Sequence, residues 1–360
     1  MRVLLVDHDS TIPNLALMQL AAWHRVRGDS VALSCGMARP EVPLDAGKPD
    51  RAYVSCVFSW NRPTAEAVAR GLSRACPDVR LGGSGVDWGK PAGAWSTLPA
   101  DVDATLPDYD LYGDDRAIGF CQRGCIRACD FCLVSRKEGA MSRYPFRHPR
   151  DWVPSGLSKV LLLDNEFAAH PPALQRDVIG WFRDSGRRYS ITQGYDARIL
   201  AGPPKGEDHG EELAGILADH KPWSLKFDNR KLYIAWDYIG IEPQVRRAVP
   251  RLLRAGFDPK EITCYILSGH PPKGGRHPTG DPCGYADGGH SCGRCHDEVR
   301  LRFDVLWGEF GVHPFVMRDN MRTDDPWLNR FARYVNRGPA SFRNHTFEAY
   351  LERHPVGEAP

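Results

Sequence analysis

Long apolar runs are missing from this 360-residue chain. The first of any note, Val3 to Val6, is cut by Asp7, His8 and Asp9. That is too short for a signal-peptide core, and nothing downstream approaches the length that crosses a bilayer. No membrane partner is expected, and a cytoplasmic location is. An excess of either charge is lacking too: 47 Lys and Arg stand against 45 Asp and Glu, a net of +2. Nucleic acid is therefore not indicated by net charge. No internal repeat or low-complexity tract stands out, and 42% hydrophobic residues is an ordinary globular make-up with room for two or three domains.

Cysteine, by contrast, is plentiful. The eleven cysteines gather partly into tight clusters, unlike the even spread of a secreted disulfide scaffold. In a reducing compartment clustered thiols point to metal.

The hydrophobic pattern predicts an α/β fold. Strand-like Val3–Val6, a helical stretch from Asn14 to Arg27, strands at Val31–Ser34 and Tyr53–Phe58, a helix from Thr64 to Ala75 and a strand at Val79–Leu81 form a βαββαβ-like series. That is a small Rossmann-like domain over 1–86. Residues 87–115, with scattered Pro, Gly and Asp, read as a linker. Strand-like runs at Val160–Leu163, Tyr189–Thr192, Leu232–Trp236 and Ile262–Leu267 then alternate with helical stretches near 172–185, 209–220 and 243–256. Repeated units of this size build a parallel sheet, open or curled into a partial (β/α) barrel over 116–320. A helix near 297–310, a strand near His313–Met317 and a C-terminal helical extension over 321–360 follow. The segment 268–296 is rich in Gly, Pro, His and Cys and cannot pack a core of its own.

Directly after the expected strand Ala117–Phe120 stand Cys125, Cys129 and Cys132, spaced C-x3-C-x2-C. Three thiolates on one short loop can each bind one iron of a cubane cluster and leave the fourth iron open to a small molecule. This stretch, with the aromatic Phe131 just before the last cysteine, resembles the radical S-adenosylmethionine (radical SAM) superfamily. The resemblance implies a 4Fe–4S cluster on Cys125, Cys129 and Cys132 whose open iron chelates SAM. It implies reductive cleavage to methionine and a 5′-deoxyadenosyl radical, and a reductant such as flavodoxin or ferredoxin. Asp164, Asn165 and Glu166 match the family's segment for the SAM amino group, although the usual Gly-Gly-Glu wording is missing. Gln193, Asp196 and Arg198 match the segment that meets the SAM ribose and carboxylate, Arg198 being suited to bidentate pairing. Ordinary loop hydrogen bonds or helix caps are the competing readings of these residues. Cys121 is outside the signature and reads as a buried thiol. Zinc with a distant fourth ligand, in a non-catalytic protein, is the alternative for the triad. The substrate is not legible, because the superfamily runs many reactions on one scaffold.

The small N-terminal domain resembles the cobalamin-binding domain of cobalamin-dependent radical SAM enzymes, with Gly82-Gly83-Ser84-Gly85 in place of their cofactor-side glycine turn. Cobalamin is one candidate occupant, and a vestigial or substrate-binding role is the other, since Asp7-His8-Asp9 is out of register with the Asp-x-His-x-x-Gly motif. A methylthiotransferase-like modifier of RNA or protein would need three N-terminal cysteines. Cys35, Cys56 and Cys76 supply the count, but none follows the opening strand.

In the insertion, Cys283, Cys292 and Cys295 lie among His270, His277, His290 and His296. The spacing predicts a second site, completed by His290 or His296 and holding zinc or an auxiliary iron–sulfur cluster. Cys292-Gly293-Arg294-Cys295-His296 also fits a c-type haem attachment pattern. That reading needs export, and no leader is expected from the opening residues.

Overall fold

In the computed structural model the described residues are 1–38, 47–91, 94–203, 208–286, 289–319, 324–343 and 345–354. Residues 287–288 of the expected insertion, and 321–323, 344 and 355–360 of the expected C-terminal extension, lie outside them. The chain divides into two compact units: Met1–Ala128 with Cys132–Leu161, and Cys129–Phe131 with Leu162–Pro360.

The first unit is built on a parallel sheet of β1 (Arg2–Asp7), β2 (Ser30–Cys35), β3 (Arg51–Ser55) and β4 (Asp78–Gly82), in the order β2-β1-β3-β4. β1 is apolar on both faces because both faces are covered. Leu4 and Val6 pack with Ala52, Val54, Ala65 and Val86, whereas Val3 and Leu5 pack with Leu17, Leu20, Ala21 and Val102. Alternate side chains thus feed two cores, each fully buried one contributing about 2 kcal/mol. The helix Leu15–Val26 supplies part of the second core. It begins where the Asn14 side chain accepts the Leu17 N–H.

The stretch expected to be a linker belongs to this unit. Val102, on a short helix at Ala100–Asp103, enters the second core, and the Gln19 side chain donates to the Asp103 carbonyl at 2.7 Å. Farther along, β5 (Arg116–Gly119) and β6 (Lys159–Leu162) are neighbouring strands.

The second unit contains β7 (Arg188–Ile191), the two-residue β8 (Tyr195–Asp196), β9 (Leu232–Trp236), β10 (Ile262–Ser268) and β11 (His313–Arg318). The last four form a parallel sheet in the order β11-β10-β9-β8. Helices Pro172–Asp184, Gly210–Asp219 and Glu242–Arg254 alternate with the strands. In the last of these Val245, Ala248, Val249 and Leu252 are buried, the i, i+3, i+4, i+7 stripe of a helix lying on a core.

One guanidinium ties the sheet's carboxyl end together. Arg302, buried on the helix Gly293–Phe303, donates to the carbonyls of Trp236 and Leu267 at 2.9 Å each, and to those of Glu298 at 3.2 Å and Asp237 at 3.3 Å. Among the described residues no helix is long and apolar enough to cross a membrane.

Candidate functional site

The loop after β5 carries the triad. None of the eleven cysteines forms a disulfide, and Cys125, Cys129 and Cys132 are half-buried, whereas Cys121 is buried. In the first unit, Cys125 pairs with Ala140 in an isolated parallel bridge, its N–H donating to the Gly139 carbonyl at 3.2 Å. The Cys125 Sγ accepts the Arg127 N–H at 3.3 Å. Cys132 closes the loop just before a short helix, Val134–Lys137, and its carbonyl accepts the Ser135 hydroxyl. A backbone N–H aimed at the Cys125 sulfur suits a thiolate at that position.

In the second unit, Cys129 shares its surroundings with residues from two strand ends. Burial raises its pKa, and the charge of Asp237 raises it further, with the Arg198 guanidinium acting the other way. Arg198 donates through Nε to both oxygens of Asp196, at 2.7 and 3.0 Å. Burial disfavours its charge, but that carboxylate more than compensates and raises its pKa. Asp196 also accepts the Arg198 N–H, capping the helix Ala197–Ala201. The competing cap reading therefore holds for Asp196, and the carboxylate that Arg198 meets in this structure is its own neighbour's.

Glu166 is similarly engaged. One of its oxygens accepts the Ala168 N–H at 3.1 Å and the other the Asp196 N–H at 2.9 Å, tying the turn after β6 to β8. Asp164 is buried, with His170 Nε2 at 3.5 Å. Asn165 is half-buried and Gln193 exposed. Phe131 lies edge-on to His270, 5.6 Å between ring centres, and His270 Nδ1 is 2.9 Å from Asp319.

Asp237, one residue beyond β9, was not singled out from the sequence. Its carboxyl is pushed up to about 6, by burial first and then by Asp196, against the pull of Arg198 and Arg302. A polar residue closing an apolar strand is the signal that would have found it, because strand ends of parallel sheets are where ligands sit.

The insertion brings four ligand atoms together. The Nε2 of His277 and the sulfurs of Cys283, Cys292 and Cys295 all lie within 4.8 Å of one another, a group able to hold a metal ion. The fourth donor is a correction to the expectation of His290 or His296. His290 is exposed and pairs with Asp324, and His296 Nε2 lies 2.8 Å from Asp325. The reason is helical geometry. Cys295 sits on the first turn of Gly293–Phe303, and the residue after it projects about 100° around the axis. His277 reaches the sulfurs because the chain doubles back, with Arg276 bridged to Pro282 and the Cys283 N–H donating to the Gly275 carbonyl. Cys292 is the acidic thiol of the three, lowered to about 7. Burial opposes this, but the N–H groups of Cys295 and Gly284 and the His277 ring favour the thiolate.

The glycine turn of the first unit has a cause of its own. Gly83 has φ +107°, and a Cβ there would lie 2.3 Å from the Cys56 carbonyl oxygen; one on Gly85 would lie 2.6 Å from the Phe58 backbone. These glycines let β4's turn pack backbone to backbone on the end of β3. On the same edge Asp9 accepts the N–H groups of Val57 and Phe58, and His8 Nε2 lies 2.8 Å from the Thr64 hydroxyl. Cys56 and Cys76 are buried in the sheet's core while Cys35 is exposed.

No protein-family model and no curated protein matches the chain. Solved structures do. The apo form of the cobalamin-dependent S-adenosylmethionine radical enzyme OxsB matches at 12% identity with a TM-score of 0.52. Its aqua-cobalamin complex matches at 12% and 0.53, and its complex with aqua-cobalamin and S-adenosylmethionine at 11% and 0.52. Each match covers 86% of this chain and 55% of OxsB, so the chain spans about half of that enzyme's length. At this identity the likeness is one of fold.

Proposed function

We propose that this chain is a radical SAM enzyme, with Cys125, Cys129 and Cys132 holding a 4Fe–4S cluster. The observation that carries this is the C-x3-C-x2-C loop directly behind β5, in a chain sharing the fold of a SAM radical enzyme. Held by Cys125, Cys129 and Cys132, such a cluster would supply one-electron reduction of bound SAM, the source of the radical chemistry.

The protein's own part is binding and orientation. Arg198, fixed by Asp196 at the carboxyl end of β8, is the proposed partner of the SAM carboxylate. Glu166, with both oxygens on backbone N–H groups, positions that segment and leaves the SAM amino group to Asp164 and Asn165. Gln193 is the proposed ribose contact, and Phe131 a proposed cofactor contact. The electron comes from a reductant such as flavodoxin or ferredoxin. Cobalamin has no step in this proposal, because Gly83 and Gly85 are explained by backbone packing.

Anaerobic reconstitution tests the proposal. The expected result is about four irons per chain on the triad and, after reduction, a paramagnetic signal that changes when SAM is added. A Cys125→Ala, Cys129→Ala, Cys132→Ala variant that kept its iron would overturn the ligand assignment. A cluster blind to SAM would make this a non-catalytic iron–sulfur protein.

A further inference from the structure

We infer that the insertion holds one mononuclear zinc ion, on His277 Nε2 and the sulfurs of Cys283, Cys292 and Cys295, in a closed site that is structural and takes no part in SAM chemistry.

Geometry separates one ion from a cluster. Four ligands around a single zinc, with bonds of about 2.3 Å to sulfur and about 2.0 Å to nitrogen, stand roughly 3.5–3.8 Å apart at the edges of a tetrahedron. The Cys283 sulfur lies 3.7 Å from that of Cys295 and 4.0 Å from that of Cys292. His277 Nε2 lies 3.4 Å from the Cys292 sulfur and 3.8 Å from that of Cys295. Thiolates of a cubane each sit on their own iron and stand farther apart. Three sulfurs and one imidazole fill all four positions, the arrangement of structural rather than catalytic zinc.

The surroundings agree. His277 Nδ1 lies 2.9 Å from Glu298, so an Nδ1–H donating to that carboxylate leaves the Nε2 lone pair facing the sulfurs. The insertion's buried apolar cluster is Cys283, Tyr285 and Cys292, with Ala286 and Cys295 against it, so the ligands are themselves most of its core. So little apolar surface does not offset the entropy of ordering a loop this long, and metal binding supplies the difference.

Residues next to the ligands dock the loop. The Tyr285 hydroxyl donates to Asp325 at 2.6 Å, and His296 stacks on Trp327 with ring centres 4.0 Å apart. Asp325 in turn caps the helix Pro326–Asn336 by accepting the Leu328 N–H. The zinc thus anchors the helix Pro326–Asn336 as well as its own loop.

Zinc analysis and X-ray absorption at the zinc edge of the intact protein test the inference. One zinc per chain is expected, with three sulfurs and one nitrogen around it, and equally in the triad triple-alanine variant. That variant makes the result independent of the proposed SAM chemistry. His277→Ala should lose most of the zinc and open the insertion to limited proteolysis, even at unchanged triad iron. An oxygen-and-nitrogen shell, zinc content indifferent to His277→Ala with Cys292→Ser, or iron retained here by the triad variant would each overturn it.

Discussion

Arg302→Met is the substitution whose outcome the structure sets most narrowly. The guanidinium is buried, and among the described residues its hydrogen bonds run to four backbone carbonyls. Burial lowers its pKa from 12.5 to about 10, with Glu298 and Asp237 acting the other way. That difference is about 3 kcal/mol held against the charge, which the apolar variant recovers. Against it stand the three bonds of 2.9, 2.9 and 3.2 Å. Hydrogen bonds from a charged donor contribute about 2 kcal/mol each, so their loss costs about 6 kcal/mol. The net expectation is destabilisation of about 3 kcal/mol, or a fall in Tm of about 6–12 °C for a unit of this size. Thermal unfolding followed by circular dichroism reads it, and Arg302→Lys, with a single nitrogen to share among four carbonyls, should fall between. An Arg302→Met protein as stable as the parent would show that desolvation exceeds the hydrogen bonding. The role of Arg302 in tying β9 to β10 would then fail.

Three further outcomes follow from local geometry. Gly83→Ala, facing the Cys56 carbonyl at 2.3 Å with φ +107°, should cost about 3 kcal/mol or more, whereas Gly28→Ala, with φ +79° and open space, should cost about 1 kcal/mol in the same denaturant titration. His313 is held down to about 4 by burial and by Lys231, while the unfolded imidazole titrates near 6.5; the unfolded chain therefore takes up the proton first, and stability present above about 6.5 is lost as the pH falls towards 4. His313→Phe should flatten that part of the stability–pH curve, and an unchanged slope would remove His313 from the account. Tyr285→Phe deletes a 2.6 Å bond to buried Asp325 and should lower stability by about 1–2 kcal/mol while leaving the zinc content intact.

What could be read from sequence divides along physical lines. Val3 to Val6 and Val160 to Leu162 announce buried strands because a strand covered on both faces must be apolar throughout. Strand β8 escaped notice because two residues carry no period. The helix expected at 297–310 begins earlier, at Gly293, and passes into a π-helical turn at Asp304–Glu309, a change of hydrogen-bond register that side-chain pattern does not encode. The spacing of Cys125, Cys129 and Cys132 is visible in the sequence because the three stand within one short loop. The histidine that joins the insertion's three sulfurs was not legible, because the nearest in sequence, His290 and His296, pair with Asp324 and Asp325 and a chain reversal delivers His277. The glycine turn was legible as a close approach, but whether to a cofactor or to Cys56 and Phe58 depended on the tertiary structure. Asp237 and Arg198 meet only through the pairing of β8 with β9.

The central claim is tested most directly by incubating the anaerobically reconstituted protein with SAM and dithionite and measuring 5′-deoxyadenosine by chromatography. Steady formation by the parent, and none by the protein with Cys125, Cys129 and Cys132 all changed to alanine, is the predicted result. A parent carrying a full 4Fe–4S cluster that releases no 5′-deoxyadenosine, or a triple variant that still does, would contradict it.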